Sequence, residues 1–229
     1  MKPLTAALGL FSAVSVMLVS MEARANYNEA TQGDLSNSNT APTVIPVNLG
    51  SNVITGTTGT ADGDQGTAGV DRDYFTITVP TGAVLSAITQ TNFSAPEAAA
   101  GDVAFFGVQA GTTFTSPTTT AASQLLGYVL FGANSENLNL EPDMAQGIDT
   151  ATGTATFGAP AGFTPPLPAG TYTFWIQDDN SPTTNYQLNF QLTLSAPVPA
   201  LPPAFAGLLA LGLAAFGATR VRVPCPRGA

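Results

Sequence analysis

Tyr186-Gln187-Leu188-Asn189-Phe190-Gln191-Leu192-Thr193-Leu194 is the stretch that decides the fold. Apolar and polar residues alternate through it without a break, and successive side chains on a β-strand point to opposite faces. One face carries Tyr186, Leu188, Phe190, Leu192 and Leu194, the other only Gln187, Asn189, Gln191 and Thr193. A strand with one side on a core and the other in water has this pattern. The same period governs Asp73-Tyr74-Phe75-Thr76-Ile77-Thr78-Val79, with Phe75, Ile77 and Val79 on one face. It returns in Ala169-Gly170-Thr171-Tyr172-Thr173-Phe174-Trp175-Ile176-Gln177, where Tyr172, Phe174 and Ile176 face one way and Trp175 the other.

Outward from these segments, short runs rich in Val, Ile, Thr, Tyr and Phe occupy 44–49, 52–55, 84–93, 103–109 and 125–131. Clusters of Gly, Pro, Asn and Thr separate them, as turns separate strands. No part of this body holds a 3.6-residue period, so the expected class is all-β, an antiparallel, jelly-roll-like β-sandwich over 44–197. Residues 132–168, with their Gly, Pro and acids, are expected to be irregular. Residues 26–43, rich in Asn, Ser and Thr, read as a flexible polar leader.

The two ends differ from the body. Lys2 precedes an uncharged, mostly apolar run from Leu4 to Ser20, closed by Ala23-Arg24-Ala25. A basic start, an apolar stretch and a small-x-small site make a secretory signal helix over 1–25, cut by signal peptidase between Ala25 and Asn26. At the other end, 204–219 is an uncharged run of sixteen residues followed by Arg220 and Arg222. As a helix it would reach roughly 24 Å, slightly less than the ~30 Å hydrocarbon core. The expected reading of 198–229 is a transmembrane sorting tail whose arginines stay on the cytoplasmic side.

Charge excludes one class of partner. Between Asn26 and Pro197 one base, Arg72, stands against fourteen acids, leaving −13. A surface of that sign repels phosphate backbones, so no nucleic-acid partner is expected. Histidine is absent and the single cysteine, Cys225, lies in the tail. The usual general base and the usual zinc ligands are therefore missing, and the expectation is a non-enzymatic protein without a resident cofactor, calcium apart.

Val198-Pro199-Ala200-Leu201-Pro202-Pro203, the apolar run, and then Arg220 and Arg222 resemble, in that order, the PEP-CTERM class of bacterial sorting signals. The proline segment stands where that class has Val-Pro-Glu-Pro or a related variant. The resemblance implies recognition by an exosortase-like transpeptidase, cleavage near Pro199, Pro202 and Pro203, and transfer of the body from the inner membrane to the cell surface or beyond. A plain C-terminal membrane anchor without processing is the alternative. Asp71-Arg72-Asp73-Tyr74-Phe75-Thr76-Ile77-Thr78-Val79-Pro80 and Ala169-Gly170-Thr171-Tyr172 are similar to two strands of pre-peptidase C-terminal domains. That likeness implies a β-sandwich accessory module of a secreted bacterial protein.

Candidate sites are few. Asp62, Asp64, Asp71 and Asp73 lie close together on a Gly-rich loop leading into a strand, and clustered hard oxygens suit calcium. Ordinary turn chemistry is the competing account for them, and for Asp178-Asp179-Asn180. Trp175, among Thr171, Thr173 and Gln177 on its own strand, could serve as a stacking platform for sugar rings, although sandwiches bury aromatics more often than they display them. The expected role is structural or adhesive, at the cell surface or in an extracellular matrix, with polysaccharide as a partner to consider. A carbohydrate- or calcium-binding accessory module is the alternative, and a secreted hydrolase the weaker one.

Overall fold

The computed structural model describes residues 25–61, 69–98, 101–114, 122–135, 139–150, 153–155, 157–178 and 180–196. Ala23, Asp62, Asp64, Asp179, Pro199, Pro202, Pro203, Arg220 and Arg222 lie outside them, as do the apolar runs at both ends. The chain divides into one unit ending at Leu194 and another from Ser195, and among the described residues the strands and helices belong to the first. Among the described residues no helix is long and apolar enough to cross a membrane.

Among the described residues eleven strands and two α-helices succeed one another in the order β1 (Asn26–Asn28), α1 (Glu29–Gln32), β2 (Thr43–Val44), β3 (Gly50–Thr58), β4 (Arg72–Val79), β5 (Ala83–Ser94), β6 (Val103–Ala110), β7 (Gly127–Gly132), α2 (Leu140–Gln146), β8 (Ile148–Asp149), β9 (Thr154–Ala155), β10 (Gly170–Gln177) and β11 (Thr184–Leu194). They form a four-stranded sheet ordered β1-β3-β11-β5 and a seven-stranded sheet ordered β2-β4-β10-β6-β7-β8-β9. The long neighbours pair antiparallel, as in β11 against β3 and β5, and β10 against β4 and β6. The sheets are nevertheless mixed, because the short strands β1, β2 and β8 join parallel. Two or three residues suffice for such an edge pairing and carry no alternation that would reveal its direction in sequence.

The core lies between the sheets. Tyr186, Leu188, Phe190 and Leu192 from β11 meet Phe75 and Ile77 from β4 and Phe174 and Ile176 from β10. Phe190 sets its edge against Phe75, Phe174 and Phe106 at centroid distances of 5.9, 5.2 and 6.3 Å, the tilted geometry that aromatic quadrupoles favour. The alternating residues thus lie where their period puts them, except Leu194, which is exposed beyond the end of the core.

Two expectations are corrected. Residues 26–43 are part of the sandwich: Tyr27 and Leu35 are buried in the core and the Tyr27 hydroxyl donates to Gly33 O at 2.8 Å. Two apolar anchors and pairing to a strand edge outweigh the polar composition. The stretch 132–168 contains α2, which starts at the N-cap Asn139, ends at the left-handed Gly147, and buries Leu140 and Met144 one helical turn apart. Trp175 is buried, the commoner fate of an aromatic in a sandwich. It is only 8% exposed, because neighbouring strands and a loop cover its face with Tyr74, Phe105, Phe114 and Tyr128. A second apolar cluster lies there instead of a sugar platform.

Candidate acidic site

β1 joins the first sheet by running parallel to β3, with Asn28 opposite Thr55. The chain then turns through α1, where the Asn28 side chain accepts from Ala30 N at 3.0 Å and fixes the first residue, Glu29, over the end of β3. Glu29 is pinned there by backbone donors. Its Oε2 accepts from Thr57 N at 2.6 Å and its Oε1 from Leu35 N at 3.2 Å.

Asp73 comes to the same place from the other sheet. It sits on the core side of β4, two residues before Phe75, and is fully buried. Tyr186 of β11 donates its hydroxyl to Asp73 Oδ2 at 2.7 Å, a hydrogen bond that joins the two sheets. No donor among the described residues reaches Asp73 Oδ1. Asp34, exposed just after α1, completes the group: one carboxylate oxygen from each of Glu29, Asp34 and Asp73 lies within 4.8 Å of the other two.

Gly56 makes this convergence possible. A Cβ at that position would stand 2.8 Å from Glu29 Cδ and would collide with the Tyr186 hydroxyl. Any other residue there would separate the carboxyl from the phenol. Above the group opens a cavity of about 530 Å³, bounded by Asn28, Glu29, Asp34, Thr57, Asn185 and Tyr186 among others.

The electrostatics arise from burial and like charge. Burial, with the charges of Glu29, Asp71 and Asp34 added, holds Asp73 well above the usual carboxylate range, and the Tyr186 hydrogen bond only partly opposes this. Burial pushes Glu29 up to about 7, and Asp34 adds to the rise, while the two backbone N–H groups and a hydrogen bond shared with the Asp73 carboxyl work against it. Tyr186 is raised too, by burial and by Asp73 beside it. Arg72, the one basic residue among the described residues, donates its Nε to Gln177 Oε1 at 2.6 Å. The arrangement can therefore hold a proton between carboxyls or a cation among them.

Of the four aspartates expected to cluster, Asp71 and Asp73 are both buried at the start of β4. Asp71 receives Asn37 Nδ2 at 3.3 Å, and its carbonyl takes the Thr58 hydroxyl at 2.6 Å. Asp73 instead meets Glu29 and Asp34, which no spacing pattern links to it. Asp178 is occupied by its own turn: Oδ1 accepts from Asn180 N and Ser181 N at 2.9 and 3.2 Å, and Oδ2 from the Thr184 hydroxyl at 2.6 Å. No family model, curated protein or solved structure matches the chain.

Proposed function

We propose that the chain is an exported, non-catalytic protein, sorted to the cell surface or extracellular matrix, where it has a structural or adhesive role. The observation that carries this reading is the position of the first strand. β1 begins at Asn26, directly after Ala23-Arg24-Ala25, so a cut between Ala25 and Asn26 leaves every strand whole. The cut removes one acceptor, Ala25 O, which lies 3.2 Å from Val53 N. The Asn26 side chain already receives the same N–H at 3.3 Å and keeps it satisfied. A processing site at the sandwich boundary is compatible with export followed by folding.

The non-catalytic part of the reading is supported by the absence of histidine and by the state of the buried acids. Asp73 is held by the Tyr186 hydroxyl, Asp178 is satisfied by its turn, and Glu141 holds a backbone amide, so none stands ready to act on a substrate. At the other end, Pro199–Pro203, the apolar run and the two arginines provide for retention and transpeptidation.

The test is mass spectrometry of the extracellular and membrane pools of an expressing bacterium. Sorting gives a body that begins at Asn26 and ends near Ala196–Pro203. An intact tail found only in the membrane supports plain anchoring instead, and Met1 or Lys2 in the mature chain defeats the export reading.

A further inference from the structure

We infer that Glu29, Asp34 and Asp73 form a calcium-binding site that joins the N-terminal segment to both sheets. Three carboxylates alone would be an ordinary acidic patch. The second observation is Asp73 itself, fully buried, with one oxygen satisfied by Tyr186 and the other, Oδ1, meeting no donor among the described residues. A buried carboxylate oxygen without a donor costs free energy unless a proton or a cation completes it.

The donor set selects the cation. All three side chains offer hard oxygens; the chain has no histidine, and no cysteine lies among the described residues to favour a transition metal. Oxygens bound to calcium sit at about 2.3–2.6 Å from the ion, so any two are at most about 5 Å apart. The three carboxylates, each with an oxygen within 4.8 Å of the other two, meet that condition as they stand. Glu29 is already oriented by the Thr57 amide and hydroxyl on Oε2 and by Leu35 N on Oε1, which leaves a lone pair on Oε1.

The site also has an entrance. Asp34 is exposed, Glu29 half-buried and Asp73 buried, so the group runs from solvent inward and borders the cavity above α1, where water can fill the remaining coordination positions. The ligands come from α1, the segment just after it, and β4 of the seven-stranded sheet, and Glu29 also accepts from Thr57 N of β3 in the four-stranded sheet. A bound ion would tie the N-terminal segment down against both. This inference does not depend on how the tail is processed.

Titration calorimetry of the full chain, stripped with chelator and then given calcium chloride, tests it. One saturable site is expected, weakened at least about tenfold in Asp34→Asn, because ligand charge sets calcium affinity. Asp34 is exposed, so this variant keeps the fold. A second variant, Asp62→Asn with Asp64→Asn, should bind as the unaltered chain does. Absence of saturable binding overturns the inference. So does unchanged affinity in Asp34→Asn, or a loss in the loop variant as large as in Asp34→Asn.

Discussion

Two glutamates of this sandwich look alike when each is considered by itself. Burial pushes Glu29 and Glu141 both up to about 7, and each takes a short hydrogen bond from a backbone amide, from Thr57 at 2.6 Å and from Leu167 at 2.7 Å. Their surroundings differ. Glu141, at the start of α2, uses its Oε1 to pin the loop that carries Leu167, which also exchanges backbone hydrogen bonds with Leu85 of β5. Glu29 holds backbone too, but it also faces Asp34 and the buried Asp73. A raised carboxyl pKa alone therefore does not mark a site; convergence of a second and third acid does.

The largest expected effect concerns the core between the sheets. Phe190→Ala removes a fully buried ring that touches three others and should cost about 3–5 kcal/mol in denaturant unfolding. If calcium acts at the local site, the variant should keep the full calcium-induced rise in midpoint, starting from a lower base. Loss of that rise would mean that the site is not separable from the core.

Gly56→Ala should come next and should strike only one of the two glutamates. The added methyl meets Glu29 Cδ and the buried Tyr186 hydroxyl, and overpacking of this kind costs about 1–3 kcal/mol. It should also reduce calcium affinity. Wild-type stability and affinity in this variant would show that the close approach at Gly56 does not shape the site.

A smaller effect isolates Glu141. Its carboxyl is raised from 4.5 to about 7 in the folded chain, so the native state holds the proton more tightly than the unfolded one. Stability from this group is fully present below the unfolded value and is lost as pH rises through the folded one. With chelator present, the melting midpoint should fall between about pH 5 and about pH 8. It should fall less in Glu141→Gln, whose amide oxygen can still accept from Leu167 N. An unchanged pH slope in that variant would show that Glu141 does not titrate in this range.

These contrasts also explain what the sequence could disclose. Strands β4, β10 and β11 were legible because a period of two needs only one chain segment to be seen, and their inward residues lie in the core as expected. The helix α2 carried readable signals, Asn139 before it, Gly147 after it and Leu140 four residues before Met144, but Pro142 and the surrounding glycines obscured them. Trp175 could not be judged from its own strand, since what covers it comes from Tyr74, Phe105, Phe114 and Tyr128 on other segments. The acidic site was hidden for the same reason. Asp73 was visible as one of a local group, whereas Glu29 and Asp34 reach it only because β1 runs parallel to β3 and α1 turns them inward.

One measurement puts the contrast between the two glutamates directly. The thermal midpoint of the full chain is taken with calcium and with chelator for the unaltered protein, Glu29→Gln and Glu141→Gln. A ligand that binds only the folded state raises the midpoint by mass action. Calcium should raise it for the unaltered chain and for Glu141→Gln by the same amount, and should have little effect on Glu29→Gln. An equal rise in all three, or no rise in any, would contradict the assignment of Glu29, Asp34 and Asp73 as a calcium site.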